Sequence, residues 1–188
     1  MTSFIKKIDK SWSLFLDRDG VINKRLADDY VKTSDEFEFL PGTLDAIALF
    51  TKLFNKIVIV TNQQGIGKGL MSKEQLEDIH NNMIKDIENN NGHIDNVYYC
   101  PDLKGSASFH RKPSIGMGLK AKKDFKEINF KKSIIIGDSI SDMKFGKKLG
   151  MKTVFIDDNN SKALAYPELI DIISSSLIDF AKTLNNTN

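Results

Sequence analysis

At 188 residues with 40% hydrophobic content, the chain is long enough for one domain with a sizeable core and too short for two ordinary domains. Its net charge of +2 comes from 27 basic and 25 acidic residues, a balance that is not typical of nucleic-acid or membrane binders. We therefore expect one domain over residues 1–188, a monomer with neither nucleic acid nor membrane as a partner. No apolar run of signal-peptide length follows the N-terminus, and Cys100 is the only cysteine, so we expect a cytoplasmic protein.

Short apolar runs alternate with amphipathic stretches from residue 13 onward. The runs predict strands buried on both faces of a parallel sheet, and the stretches between them predict helices, which together indicate an α/β fold. Ser72 and Ser114 are placed to cap two of the helices. The predicted strands are 13–16, 56–60, 96–99, 133–137 and 153–156, with 171–174 as a sixth, and the predicted helices are about 42–54, 73–90, 115–127, 140–149 and 176–184.

The first predicted strand ends in two acidic residues, Asp17 and Asp19, within the segment FLDRDG. Ligands of parallel sheets gather at the carboxyl ends of the strands, so both side chains are candidates for chemistry. One carboxylate can attack phosphorus to form an aspartyl-phosphate, and the other can protonate the leaving oxygen and later activate water. On this motif alone, a pair of turn aspartates explains the pattern equally well.

Thr61 and Asn62 follow the second predicted strand and precede a glycine-rich turn, in VTNQQGIGKG. The Thr61 hydroxyl and backbone N–H groups can hold phosphoryl oxygens, and Asn62 is a further candidate for substrate binding. A P-loop is excluded, because Asn62 stands where that motif needs glycine and Gly69 stands where it needs Ser or Thr.

Two cations, Arg111 and Lys112, precede a proline in the segment FHRKP. Lys112 can steady Asp17 and the transferred phosphoryl group, and Pro113 favours an extended backbone at Lys112. Arg111 has the planar fork that suits a second anionic group on a substrate. Taken alone, such a pair indicates only a solvated loop.

The fourth predicted strand is followed by Asp138 and Asp142, in GDSISDM. Asp138 can join Asp17 around a divalent cation, since Mg²⁺ prefers oxygen ligands and commonly takes one or two protein carboxylates together with substrate phosphate. Two interpretations of Asp142 stay open. It is either a metal ligand or an acid in the first turn of a helix, favoured there by the helix dipole.

Together, DRDG, TN, RKP and GDSISD resemble the four motifs of the haloacid dehalogenase-like (HAD) phosphohydrolases, in the same order and over most of the chain. The resemblance implies a three-layer Rossmann-like fold with a central parallel sheet. It also implies that Asp17 is the nucleophile and Asp19 the general acid/base, and that Thr61 and Lys112 bind the phosphoryl group. The implied cofactor is Mg²⁺, held by Asp17, the backbone carbonyl of Asp19, and Asp138.

Within that superfamily, FLDRDGVIN, DEFEFLPG, VTNQQGIGKG and RKPSIGM are similar to the D-glycero-D-manno-heptose 1,7-bisphosphate phosphatases, which lack a large cap domain. Only 43 residues lie between Asp17 and Thr61, which leaves no room for such a cap. The loops 22–36 and 100–111 would then shape the pocket, and Arg111 would contact the substrate beyond the reacting phosphate. The implied reaction is Mg²⁺-dependent removal of the C7 phosphate of heptose 1,7-bisphosphate, in lipopolysaccharide synthesis.

Other functions stay open at this point: a phosphatase of histidinol phosphate or another small metabolite, a 3′-phosphatase acting on nucleic-acid ends, and a non-catalytic phosphate-binding module. The even charge balance disfavours a nucleic-acid substrate. The presence of Asp17, Asp19, Lys112 and Asp138 together disfavours a binding module, because binding alone needs no nucleophile.

Many members of the resembling family carry a zinc loop, Cys-x-His followed by Cys-x-Cys, immediately before RKP. The corresponding positions here are Cys100, Asp102, Ser108 and His110. Structural zinc normally takes four Cys or His ligands, so we expect no structural zinc, with weak metal binding by Cys100, Asp102 and His110 as the alternative. We expect this loop to keep its shape through packing and hydrogen bonds, with Cys100 buried.

The two remaining histidines, His80 and His93, have no metal-like partners nearby in the sequence and are interpreted as surface or helix-end residues. The phenylalanines between residues 37 and 54 recur at strand or helix spacing. We expect them in the core rather than in a base-stacking platform.

Overall fold

The computed structural model describes residues 4–27, 29–157 and 165–186. All six predicted strands are present and pair in parallel in the order β3-β2-β1-β4-β5-β6. The strands are β1 Ser13–Leu16, β2 Lys56–Asn62, β3 Asn96–Cys100, β4 Ser133–Gly137, β5 Lys152–Ile156 and β6 Ile172–Ser174. The helices are α1 Thr43–Leu53, α2 Gln64–Gly67, α3 Lys73–Asn89, α4 Gly116–Asp124, α5 Ile140–Leu149 and α6 Leu177–Asn185.

The sheet is covered on both faces, which is why its strands show no polar alternation. Leu14 and Leu16 of β1 pack into one core with side chains of α1, α3 and α6, whereas Phe15 packs into a second core with side chains of α4 and α5. The side chains of Leu14, Phe15 and Leu16 are all fully buried. The result is the three-layer α/β fold that the sequence predicts.

Helix starts follow local hydrogen bonding. Ser72 caps α3 through a capping box, in which its Oγ accepts from the Gln75 N–H at 3.2 Å and the Gln75 side chain accepts from the Ser72 N–H at 2.7 Å. The predicted cap at Ser114 is wrong. Its N–H donates to the Arg111 carbonyl in a turn at 2.8 Å, and α4 begins two residues later with Ile115 as its N-cap.

Strand β2 extends two residues beyond its predicted end. Thr61 and Asn62 pair with Tyr99 and Cys100 of β3, so both are the last residues of a strand rather than the first residues of a loop. The short helix α2, which the sequence did not predict, follows directly.

The chain order creates a crevice between β1 and β4. From β1 the chain builds β2 and β3 on one side of the sheet, and then returns to build β4, β5 and β6 on the other. Ligands of such sheets bind where the strand order reverses, outside the carboxyl ends of the strands. Between Asp17 and Thr61, the described residues form loops, one 3-10 turn, α1 and the first five residues of β2, so the crevice carries no large cap domain there. No described helix is long and apolar enough to cross a bilayer.

Candidate active site

A cleft of about 890 Å³ opens at the carboxyl ends of the central strands. Every residue that the sequence assigns to the site lines it except Lys112, which lies buried against Asp17. Asp142, the acid with two open interpretations, is also buried and does not line the cleft. The cleft is also lined by parts of the two predicted pocket loops, including Tyr30 and Lys104. Residue 28 of the loop 22–36 lies outside the described residues. The cleft-lining residues that the sequence predicted are Asp17, Asp19, Thr61, Asn62, Arg111 and Asp138.

Three carboxylates converge in the crevice between β1 and β4. Asp17, Asp138 and Asp142 each place a carboxylate oxygen within 4.8 Å of the others. The Asp17 N–H donates to the Ile136 carbonyl of β4 at 2.9 Å, which ties the two strand ends together. Gly20 permits this approach, because a Cβ there would lie 2.2 Å from Asp138 Oδ2. Its φ of +87° also favours glycine.

A buried lysine partly compensates this acidic cluster. Lys112 Nζ lies 2.9 Å from Asp17 Oδ1 and 2.6 Å from Asp142 Oδ1, and it donates to the Val60 carbonyl at 2.6 Å. Burial disfavours the ammonium, but the carboxylates of Asp142 and Asp17 outweigh it and hold the pKa of Lys112 above its usual range. Lys112 is therefore a cation fixed directly beside the candidate nucleophile.

Asn62 holds the backbone of Lys112 from both sides. Asn62 Oδ1 accepts from the Lys112 N–H at 3.0 Å, and Asn62 Nδ2 donates to the Lys112 carbonyl at 3.1 Å. The amide thus uses both of its polar atoms on Lys112. This geometry assigns Asn62 a part in placing the lysine, in addition to lining the cleft.

Asp142 belongs to the buried side of the cluster. It is fully buried, its Oδ2 accepts from the Ser139 N–H at 3.1 Å and from the Ser139 hydroxyl at 2.5 Å, and its Oδ1 faces Lys112. Its contacts are those of a helix-capping acid that also orients the lysine, although its Oδ atoms lie close enough to share an ion with Asp17 and Asp138.

The acidic cluster fits a divalent cation. Burial, followed by repulsion from Asp142, raises the pKa of Asp17 to about 8, and the same two causes raise the pKa of Asp138. Lys112 and Arg25, which pairs with Asp138, supply two positive charges against three carboxylates, and a cation held by hard oxygen ligands would supply the missing charge. Within the described part of the chain, this is the one group of three or more His, Cys, Asp or Glu residues close enough to share an ion.

Asp19, two residues from Asp17, has a different environment. Its carboxylate accepts from Arg18 Nη2 at 2.9 and 3.1 Å, from Asn23 Nδ2 at 3.0 Å and from Gln63 Nε2 at 2.7 Å. Burial opposes ionisation, but the Arg18 guanidinium and these donors lower the pKa of Asp19 below its usual value. The predicted metal ligand of Asp19 is its backbone carbonyl, which leaves the carboxylate to this network.

The outer part of the cleft carries positive charge. Arg25 Nη1 pairs with Asp138 Oδ2 at 3.2 Å, and Arg111 Nη1 donates to the Asp102 carbonyl at 2.8 Å. Lys68 and Lys104 line the same cleft. The cleft is therefore acidic at its floor and basic at its rim, an arrangement suited to a substrate that carries a second anionic group.

Hydrogen bonds organise the loop 100–111, as the sequence predicted. Cys100 is buried, and its Sγ lies 3.4 Å from Asp102 Oδ2 and 3.5 Å from Ser108 Oγ. Burial is the main cause that raises the pKa of its thiol. Ser108 Oγ also accepts from the N–H groups of His110 and Arg111, each at 3.2 Å, which brings Arg111 to the cleft rim.

Four residues around Asp19 were not predicted from the sequence, namely Arg18, Asn23, Gln63 and His80. The surface interpretation of His80 is wrong: its side chain is buried and its Nε2 lies 3.2 Å from Arg18 Nη1. Its position in the apolar stripe of α3, one residue after Ile79 and three before Met83, was the available signal. Arg18 and Gln63 directly adjoin motif residues, which was the only signal for them. His93, by contrast, is exposed as predicted.

The proteins that this chain resembles in sequence and in structure are phosphatases. A family model described as polynucleotide kinase 3 phosphatase matches residues 14–172. The structure of the D,D-heptose 1,7-bisphosphate phosphatase of B. bronchiseptica, complexed with magnesium and phosphate, superposes with a TM-score of 0.84 at 29% identity, over 94% of this chain and 99% of that one. Because the family model matches most of the chain, the chain belongs to the family of HAD-like phosphatases that the model describes.

Two relatives that are similar in sequence belong to one group of these phosphatases. D-glycero-alpha-D-manno-heptose-1,7-bisphosphate 7-phosphatase of Campylobacter jejuni is 37% identical over 81% of this chain and 86% of its own length. D-glycero-beta-D-manno-heptose-1,7-bisphosphate 7-phosphatase of Haemophilus influenzae is 31% identical over 92% of this chain and 96% of its own length. This phosphatase thus groups with the heptose 1,7-bisphosphate 7-phosphatases, as its sequence motifs indicate.

Proposed function

We propose that this phosphatase removes the C7 phosphate of D-glycero-D-manno-heptose 1,7-bisphosphate. The observation that carries the proposal is the division of the cleft, with Asp17 at the floor, the buried Lys112 directly behind it, and Arg111 at the rim. A bisphosphate needs both parts: a reacting centre for one phosphate and a cationic contact for the other. The relatives that act on heptose bisphosphates support the same substrate.

The chemistry proceeds in two displacements. An oxygen of the Asp17 carboxylate forms a bond to phosphorus as the bond to the sugar oxygen breaks. Asp19, whose lowered pKa keeps it ionised in the free enzyme, takes up a proton when the substrate binds and gives it to that leaving oxygen. Water then attacks the aspartyl-phosphate, Asp19 takes a proton from the water, and the bond between phosphorus and Asp17 breaks. The two steps restore both side chains and release inorganic phosphate.

Other residues stabilise charge during these steps. Lys112, fixed 2.9 Å from Asp17, favours the ionised nucleophile and attracts the phosphoryl oxygens, and the Thr61 hydroxyl donates to one of them. Asp17 and Asp138, with the Asp19 carbonyl, would hold Mg²⁺, which neutralises charge on the clustered carboxylates and the phosphate.

The test is Mg²⁺-dependent phosphate release from three substrates: heptose 1,7-bisphosphate, histidinol phosphate and a 3′-phosphorylated oligonucleotide. A strong preference in kcat/KM for the heptose substrate is the expected result. Preference for either other substrate overturns the proposed substrate while keeping the phosphatase chemistry. The oligonucleotide is tested because the matching family model describes polynucleotide kinase 3 phosphatases.

Arg111→Met tests the role of the rim. It should raise KM for the bisphosphate by about 10-fold and leave the kinetics of histidinol phosphate, a monophosphate, unchanged. An equal effect on both substrates would contradict a contact with the second phosphate.

The remaining proposals concern the setting of the enzyme. We infer a cytoplasmic monomer that works without nucleic-acid or membrane partners, supported by the single cysteine and by the even balance of 27 basic and 25 acidic residues. Light scattering on the purified chain measures the oligomeric state, and a dimer mass would contradict this part alone.

A further inference from the structure

Gln63 carries a buried amide that contacts two residues of the active site, Asp19 and Thr61. Its Nε2 donates to Asp19 Oδ2 at 2.7 Å and to Thr61 Oγ1 at 2.8 Å, and its Oε1 accepts from Arg18 Nη2 at 3.2 Å. Both amide hydrogens and the amide oxygen therefore have partners. Arg18 fixes which end of the amide faces Asp19, because a guanidinium donates only and must meet the oxygen.

His80 completes this arrangement from behind. Arg18 is almost fully buried, and its Nη1 donates to His80 Nε2 at 3.2 Å, so that ring nitrogen is unprotonated and the proton is on Nδ1. Burial and the charge of Arg18 lower the pKa of His80 to about 3, which keeps the ring neutral. A side chain on α3 thus holds the guanidinium that orients Gln63.

We propose that Gln63 is a positioning residue that acts on Asp19 and Thr61 together, and that Arg18 and His80 hold it in place. This inference rests on the proposed function, since it assigns Asp19 to proton transfer. The contact from Gln63 occupies a lone pair of Thr61 Oγ1, so the Thr61 hydroxyl hydrogen is free to donate toward a phosphoryl oxygen. The contact at Asp19 fixes the carboxylate that protonates the leaving oxygen.

The dependence of the reaction on the leaving group separates this role from a structural one. An alkyl phosphate needs a proton on its leaving oxygen, whereas p-nitrophenyl phosphate releases a stable anion and needs little help from Asp19. The quantity to measure is kcat/KM, because it reports the steps up to formation of the aspartyl-phosphate. A residue that acts through Asp19 must change the ratio of the two values.

Gln63→Met keeps the size of the side chain and removes both donors. We expect kcat/KM for heptose 1,7-bisphosphate to fall about 10- to 100-fold more than kcat/KM for p-nitrophenyl phosphate. An unchanged ratio overturns the inference, whether both values fall equally or neither falls. Should Gln63→Met not fold, Gln63→Glu, which keeps the acceptor for Arg18, must lower the same ratio.

Two further variants test the supporting residues. His80→Leu removes the acceptor and should lower the ratio by a smaller factor, whereas His80→Gln, which restores an acceptor, should return it toward wild type. The matched control is Tyr98→Phe, which removes partly buried hydrogen bonds with Asp124 and Asn96 on the α4 side of the sheet. It should lower thermal stability without changing the ratio.

The wild-type enzyme distinguishes failure of this inference from failure of the proposed function. If the wild type does not hydrolyse heptose 1,7-bisphosphate, the proposed substrate fails, and histidinol phosphate serves as the alkyl ester for the same ratio. If the wild type hydrolyses the heptose substrate and Gln63→Met leaves the ratio unchanged, the role of Gln63 fails alone.

Discussion

Asp17 and Asp19 lie two residues apart on one loop, and their surroundings are opposite. Asp17 meets two further carboxylates and one lysine, and burial together with Asp142 raises its pKa to about 8. Asp19 is only partly buried, and Arg18 and two amides lower its pKa below the usual value. The charges that face each carboxylate decide the direction of the shift, since burial acts the same way on both.

The two acids at the end of β1 therefore have surroundings that suit different roles. The Asp17 region has an excess of negative charge, which suits the addition of a cation. The Asp19 region has its donors and acceptors already paired, which suits a fixed geometry.

Asp17→Asn should have the largest effect. The amide cannot attack phosphorus, so turnover should fall by at least about 1,000-fold, as measured by phosphate release with saturating Mg²⁺. The fold should survive, because the substitution removes one of three mutually repelling carboxylates, and circular dichroism with thermal unfolding checks this. Near wild-type turnover would contradict the role of Asp17 as nucleophile.

Lys112→Met tests whether the lysine compensates the Asp17 region. Removing one partner of a buried ion pair leaves charge uncompensated, so the free energy of unfolding should fall by about 3 kcal/mol. The double variant Lys112→Met/Asp142→Asn should recover part of that loss, since it removes one of the repelling carboxylates. Additive losses in urea denaturation would show that the two side chains do not interact.

Added Mg²⁺ tests the charge excess directly and needs no turnover. At a concentration about 100 times the dissociation constant, a bound ion should stabilise the wild type by about 2.7 kcal/mol, seen as a higher melting temperature. Asp138→Asn should lose most of this stabilisation. The matched control is Asp45→Asn, an exposed acid on α1, which should retain it. Equal stabilisation of all three proteins would place the ion elsewhere.

The Asp19 region should respond to acid through His80. The pKa of His80 is about 3 in the folded chain and 6.5 in its ordinary state, so below pH 6.5 the unfolded chain takes up a proton that the folded chain does not. Stability should therefore be unaffected above pH 6.5 and fall as the pH drops toward 3, by about 1 to 2 kcal/mol at about pH 5. The difference in unfolding free energy between wild type and His80→Gln measures this. A difference independent of pH would contradict a neutral, buried His80.

The fold was largely predictable because its signals are local. Each buried strand is a short apolar run, and all six are present with ends within about two residues of the prediction. The errors have local causes as well. Thr61 and Asn62 carry no apolar signal and join β2 only through pairing with β3, and Ser114 is used in a turn instead of a cap.

Motif residues of the site were also predictable, because their spacing places each at a strand end and parallel strands bring those ends together. Asp17, Asp19, Thr61 and Asp138 line one cleft for that reason. Their assigned roles stay predictions until the variants are measured.

The residues at the carboxyl ends of the strands could be identified from the sequence alone, because a short apolar run and the point where it ends are local properties of the chain. The side chains that face each acid, by contrast, depend on the tertiary structure. Lys112 contacts Asp17 from 95 residues further along the chain, and Gln63 contacts Asp19 from 44 residues further along. His80 acts on Asp19 only through Arg18. Such contacts depend on the packing of three layers, and the field they create, rather than the residue type, makes one aspartate unlike the other.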